Sequence, residues 1–131
     1  MDAAAENGHA PIRVMIVDDH RLFAEALEAI LSGERTIEIV GRARNGAEAV
    51  ELALELAPDV VLMDISMPVM DGVEATRRIR EARRDACVLM LTGSNAAADV
   101  DRSREAGAVG YVTKDRIASQ LIEAIVEAAG R

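Results

Sequence analysis

The chain has 131 residues, the size of one ordinary domain, and half of them are apolar while only 2% are aromatic. Ala, Leu, Ile, Val and Met must therefore build a single core, and the stacking surfaces that bases or sugars need are nearly ruled out. A formal charge of −8, from 23 acidic against 15 basic residues, argues against binding to phosphate backbones or anionic lipid, and the lone Cys87 excludes an internal disulfide.

Residues 1–11, MDAAAENGHAP, are small and polar and read as a loose tail, so the domain is expected over 12–131. The tail lacks the basic and apolar regions of a signal peptide, and no apolar run approaches the ~20 residues of a membrane span. A cytoplasmic location without membrane contact is the simplest reading. The first strand is predicted over 12–17 (IRVMIV), followed by a helix with Leu22, Ala26, Leu27, Ile30 and Leu31 on one face. A second strand over 36–40 (TIEIV) precedes a helix carrying Ala49, Val50, Ala53, Leu54 and Ala57, with Asn45 suited to its N-cap and Pro58 just beyond it. The third strand, over 59–63 (DVVLM), leads to a helix over about 72–83. A fourth, over 86–91 (ACVLML), leads to a helix over about 95–106, with Asn95 as N-cap and Gly107 suited to a left-handed C-terminal position. The fifth strand, over 109–113 (VGYVT), is followed by a helix with Ile117, Leu121, Ile125 and Val126 at helical spacing.

Strands that recur about every 25 residues with one helix between each pair call for right-handed βαβ crossovers and a parallel sheet covered on both faces. The expected fold is a doubly wound (βα)5 α/β domain with strand order 2-1-3-4-5. In such sheets the ligand crevice lies beyond the C-terminal ends of strands one and three.

The residues at those ends carry the chemistry. Strand one runs into Asp18 and Asp19, and strand three runs into Asp64. Any one of these acids alone reads as a helix cap or a solvated loop residue, but three carboxylates converging on one crevice repel one another and call for a shared proton or a bound cation. An all-oxygen cluster suits a hard ion such as Mg²⁺, which bonds one or two carboxylates and keeps several waters. Strand four ends at Thr92, a hydroxyl, and strand five at Lys114, the only lysine among 15 basic residues. A compact ammonium kept at this one place is suited to meeting an anion that forms beside the metal. A carboxylate nucleophile flanked by a metal, an ammonium and a hydroxyl is what phosphoryl transfer to an aspartate requires. Asp64, alone at the middle of the sheet, is the expected nucleophile, while the adjacent Asp18 and Asp19 suit metal holding, directly or through water.

VDDH at 17–20, LMDISMPVMDG at 62–72, LTGS at 91–94 and GYVTKD at 110–115 together resemble the receiver domain of bacterial two-component response regulators, a flavodoxin-like fold, and most closely its NarL/LuxR-type branch. The resemblance spans about residues 11–130. It implies that Asp64 accepts a phosphoryl group from the phosphohistidine of a sensor histidine kinase, with Mg²⁺ held by Asp19, Asp64 and the backbone carbonyl of Ser66, and Asp18 in support. It implies further that Lys114 pairs with the phosphate, that Thr92 follows the phosphoryl oxygen, and that Tyr111 turns inward with it. A phosphorylation-dependent homodimer and control of transcription are also implied. Two departures stand out: Asp115 follows Lys114 where receivers commonly carry proline, and the chain stops at Arg131, where this branch continues into a helix-turn-helix DNA-binding domain. No output domain and no direct nucleic-acid contact are therefore expected here.

Other features read as background. The run Met67–Gly72 is a tight turn in which Pro68 fixes φ and Gly72 opens the next helix. His20 reads as a neighbour of the cation site rather than a ligand, Cys87 as a buried small hydrophobe, and the arginines of 77–84 (RRIREARR) as a solvated face. The helix over 95–106 holds one sizeable apolar residue, Val100, beside five charges, so it is either an ordinary solvated helix or the element that moves in a switch. Two alternatives remain beside the DNA-binding regulator: a stand-alone receiver acting through protein contacts, and a Mg²⁺-dependent aspartyl phosphatase. The phosphatase class usually places a second aspartate where Ser66 stands. A flavin carrier on the same fold would need a hydroxyl-rich phosphate loop after strand one, where DDHR would instead repel the phosphate.

Overall fold

A computed structural model describes residues 10–93 and 97–131. Five parallel strands, β1 (Ile12–Val17), β2 (Ile37–Ala43), β3 (Val60–Asp64), β4 (Cys87–Thr92) and β5 (Gly110–Thr113), form one sheet in the order β2-β1-β3-β4-β5. Helices α1 (Arg21–Ser32), α2 (Gly46–Leu56), α3 (Gly72–Ala82), α4 (Ala97–Ala106) and α5 (Ile117–Ala128) connect or follow them, and a 3₁₀ turn over Lys114–Arg116 joins β5 to α5. The expected doubly wound fold and strand order are both present. Every residue of β3 is buried, as a central strand covered on both faces requires.

Side chains alternate across the sheet, so the single core expected of one domain is divided into two layers, one on each face. One face packs Ile12, Val14, Ile16, Leu62, Leu89 and Leu91 against α1 and α5 through Leu27, Leu31, Leu121 and Ile125. The other face packs Met15, Met63 and Met90 with Val17, Val61 and Val88 against α2, α3 and α4, whose contributions include Ala49, Ala53, Ile79 and Ala106. No helix of the described residues is long and apolar enough to cross a membrane.

Local chemistry sets the boundaries. Asn45 caps α2 by accepting from the Glu48 N–H at 2.8 Å, and Asp71 caps α3 by accepting from the Glu74 N–H at 2.9 Å. Gly107, at φ 106°, takes the left-handed conformation after α4. Asn95, expected as the cap of α4, lies outside the described residues, as do residues 1–9 of the tail. Strand β2 runs three residues past the expected end at Val40. Val14 pairs with Ile39 and Met15 with Gly41, so Val40 is the extra residue of a bulge, and pairing resumes through Ala43.

Two background readings are corrected. Cys87 is half-buried rather than fully buried. The basic run on α3 is only partly a solvated face: Arg77 and Arg78 pair with Glu74, but Arg80 folds back to donate to the carbonyls of Arg84 and Ala86. That contact closes the α3–β4 connection, because a long guanidinium can satisfy two loop carbonyls at once.

Candidate functional site

Strand register brings the chemistry-bearing residues to one sheet edge. Val17 pairs with Met63, Asp64 with Leu91, and Thr92 with Thr113. Asp18 and Asp64 therefore stand level, with Thr92 one step further and Lys114 beyond it. Asp18 is fixed at both ends: its N–H donates to the Ala43 carbonyl at 3.1 Å, and its Oδ1 accepts from the His20 N–H at 2.7 Å. The second bond turns the chain sharply into α1 and leaves Asp19 and His20 facing outward.

Asp18 and Asp64 are both buried, at 1% and 2% exposure, whereas Asp19 is partly open to solvent. Carboxylate oxygens of the three acids and a ring nitrogen of His20 lie within 4.8 Å of one another. The His20 Nδ1 stands 3.2 Å from Asp19 and 3.5 Å from Asp18, so the imidazole borders the cluster more closely than the sequence suggested. Lys114 also reaches the cluster, with its Nζ 3.3 Å from Asp64 Oδ1 and 3.6 Å from Asp18 Oδ2. Asp64 Oδ1 also faces the Ser66 N–H at 3.3 Å. The Asp18 and Asp64 Oδ2 atoms are buried and accept no hydrogen bond among the described residues. Lys114 faces the Asp18 Oδ2 as an ion pair only, and the Asp64 Oδ2 is costly to bury unless a proton or cation meets it, so the donor set fits a hard divalent ion.

Electrostatics point the same way. The Asp64 carboxyl is pushed up to about 6 by burial first and by the Asp18 charge second, against the opposing pull of Lys114 and the Ser66 N–H. A carboxylate raised in this way is one that a second positive charge would return to its anionic form.

Thr92, buried at the end of β4, lines a pocket of about 220 Å³ together with Asp64, Ser66 and Lys114. An adjoining pocket of about 470 Å³ is lined by Asp19, Ser66, Asp71 and Arg102, so Ser66 borders both. Tyr111 is not brought to this crevice. It is 40% exposed and lines a separate groove of about 450 Å³ beside Val109 and Ala124. Two neighbours escaped the sequence reading. Phe23, in the first turn of α1, lies under the Lys114 ammonium at 4.4 Å from ring centroid to Nζ. Arg102 of α4 reaches Asp71 at 3.3 Å and Asp99 at 3.6 Å. The one available signal was for Phe23, the only phenylalanine of the chain.

Residues 14–126 match the family described as Response regulator receiver domain. The chain belongs to the response regulator receiver family. Transcriptional regulatory protein LiaR of Bacillus subtilis (strain 168) is 41% identical over 114 residues, which cover 87% of this chain and 54% of LiaR. The signal receiver domain of the putative response regulator NarL from Mycobacterium tuberculosis superposes with a TM-score of 0.88 at 33% identity, covering 92% of this chain and 98% of that one. The CheX-CheY-BeF3-Mg+2 complex from Borrelia burgdorferi gives a TM-score of 0.86 at 27% identity, covering 93% and 92% of the two chains. The receiver is thus a signalling domain of two-component systems, of the NarL/LuxR-type branch, and its curated relatives include transcriptional regulatory proteins. It spans about half the length of the curated relatives it matches. Where receivers commonly carry proline after the lysine, the described residues contain no cis peptide bond, and Lys114 simply opens the 3₁₀ turn.

Proposed function

We propose that this receiver is a Mg²⁺-dependent phosphoacceptor in which Asp64 takes a phosphoryl group from the phosphohistidine of a sensor histidine kinase. The observation that carries the reading is the state of the Asp64 carboxylate: Oδ1 is held by Lys114 and the Ser66 N–H, while the buried Oδ2 has no hydrogen-bond partner among the described residues. One oxygen is fixed and the other is left to react. In the transfer, an Asp64 oxygen forms a bond to phosphorus, the bond from phosphorus to the histidine nitrogen breaks, and the nitrogen leaves with the electron pair. Lys114 meets the charge that stays on the phosphoryl oxygens, and Thr92 supplies a hydroxyl from the wall of the same pocket. Asp19, Asp64 and the Ser66 backbone carbonyl would hold Mg²⁺, with Asp18 in support. When bound, the ion neutralises the acidic cluster and the transferred group. The Borrelia neighbour, a complex with BeF3 and Mg+2, supports this choice of cation.

In this reading Thr92 and Tyr111 carry the switch, with Tyr111 moving from its exposed groove toward the pocket when Asp64 is phosphorylated. The output, in the cytoplasm, is transcription, exerted through a further domain as in relatives such as LiaR, and homodimerisation follows phosphorylation. The receiver itself turns over no separate substrate.

The test is incubation with Mg²⁺ and acetyl phosphate followed by intact mass. One added phosphoryl group is expected, labile to base, dependent on the metal and absent in Asp64→Asn. Rapid turnover of unrelated phosphate esters would instead favour a phosphatase.

A further inference from the structure

The one lysine of the chain and its one phenylalanine are in contact. Nothing in the chemistry of phosphoryl transfer demands an aromatic at this place. We propose that Phe23 is a positioning residue for Lys114: its ring holds the ammonium at the pocket when the carboxylates are engaged elsewhere. The inference rests on the phosphoacceptor reading above.

Three groups surround the Lys114 Nζ at close range: Asp64 Oδ1 at 3.3 Å, Asp18 Oδ2 at 3.6 Å and the centre of the Phe23 ring at 4.4 Å. The two carboxylates belong to the cluster suited to a divalent ion, so a cation bound there competes with the ammonium for the same oxygens. A lysine stem has four rotatable bonds, and an ammonium released by its acids would swing into water. The ring is not subject to that competition. Its face attracts a cation without bonding to a metal or accepting a proton, so it retains Lys114 without neutralising the charge that a phosphoryl oxygen needs. Phe23 is itself anchored, since it packs on the core face that holds Leu27, Ile117 and Leu121. The Lys114 side chain is only 25% exposed, and partial desolvation strengthens a contact of this kind.

The experiment uses the single lysine as its own probe. With ¹³C at the ε-carbon of lysine, the receiver gives one side-chain signal, and its ε-protons are expected upfield of free lysine because they lie over the ring. That displacement persists on adding Mg²⁺ and disappears in Phe23→Leu. Phosphorylation by acetyl phosphate slows about three- to tenfold in Phe23→Leu, the loss corresponding to one partly desolvated cation–ring contact. Phe23→Tyr, which keeps the ring, restores both the signal and the rate. In Lys114→Met the further change Phe23→Leu leaves the residual rate unaltered. A lysine signal at the free position in the wild type overturns the proposal, as does a Phe23→Leu rate equal to wild type or a loss that persists in Lys114→Met. A wild-type receiver that takes no phosphoryl group overturns the phosphoacceptor reading itself, and this inference with it.

Discussion

Gly72 rests directly on the backbone of Asp64. A Cβ at position 72 would drive into the Asp64 carbonyl oxygen and stand 2.9 Å from its carbonyl carbon, while the Gly72 N–H donates to the Ile65 carbonyl at 2.9 Å. The start of α3 is thereby joined to the end of β3 with no side chain between them. Gly72→Ala, which in an exposed helix would stabilise, should here lower stability by about 1–3 kcal/mol, because the clash is with backbone that cannot rotate away. Urea unfolding measures this, and an unchanged or raised midpoint would contradict the close approach.

The raised Asp64 carboxyl makes the metal-free receiver sensitive to pH. Its folded value of about 6 lies above the ordinary aspartate value of 3.8, so the folded state binds this proton more tightly than the unfolded chain. The contribution is fully present below the unfolded value and is lost as pH rises through about 6, to a limit of about 3 kcal/mol. The urea midpoint without divalent ions should therefore fall more between pH 5 and 7 in the wild type than in Asp64→Asn. Adding Mg²⁺ should recover the loss, since the ion replaces the proton. Parallel pH profiles for the two proteins would refute the assignment.

Val69 is strained. It sits at φ 69° and is fully exposed, and the Met70 N–H donates to the Pro68 carbonyl at 2.8 Å across it, which is a γ-turn. A β-branched residue is poorly suited to positive φ, and this one contributes no packing in exchange. Val69→Gly should stabilise by roughly 0.5–1 kcal/mol, the relief of strain exceeding the added freedom of the unfolded chain, and should raise the melting temperature by about 2–4 °C. Calorimetry decides it, and a fall in melting temperature would show that the turn is unstrained.

Helix α4 should be the element that loosens most easily. Among the described residues it buries only Ser103 and Ala106, and the ion pair that links it to the start of α3, Arg102–Asp71, is partly exposed and worth about 0–1 kcal/mol. Amide exchange in α4 and β5 is expected to change more on phosphorylation than anywhere else, and Arg102→Ala should speed exchange in α4 before phosphorylation. Protection that changed only around Asp64 would argue against a moving α4.

Strand positions and the residues at their ends were legible because they depend on local pattern: runs of β-branched residues closed by Asp18, Asp64, Thr92 and Lys114. Parallel register then follows from the crossover rule, and with it the convergence of the acids. What the sequence withheld depends on contacts between elements. Strand β2 looked complete at Val40 because Gly41 and Arg42 break the apolar pattern, yet the bulge lets pairing continue to Ala43. Phe23 meets Lys114 only because α1 and the turn after β5 lie over the same face of the sheet, a relation between residues 91 positions apart. Arg80 looked solvated because nothing local reveals which carbonyls its side chain reaches. The outward position of Tyr111 is likewise a matter of rotamer and neighbours rather than of composition.

The two faces of the sheet differ in stiffness as well as in content. Branched Ile, Leu and Val side chains against α1 and α5 have few rotamers and lock those helices to the strands. The opposite face also holds branched Val17, Val61, Val88 and Ile79, but it sets Met15, Met63 and Met90 in the same core as Ala106 of α4, and these unbranched thioethers can refill space after a neighbour shifts. A displacement of α4 can thus be absorbed by methionines on the Asp64 strand and its two neighbours while the far side of the molecule holds its shape, so the receiver combines a firmer half with a more pliable one in a single small domain.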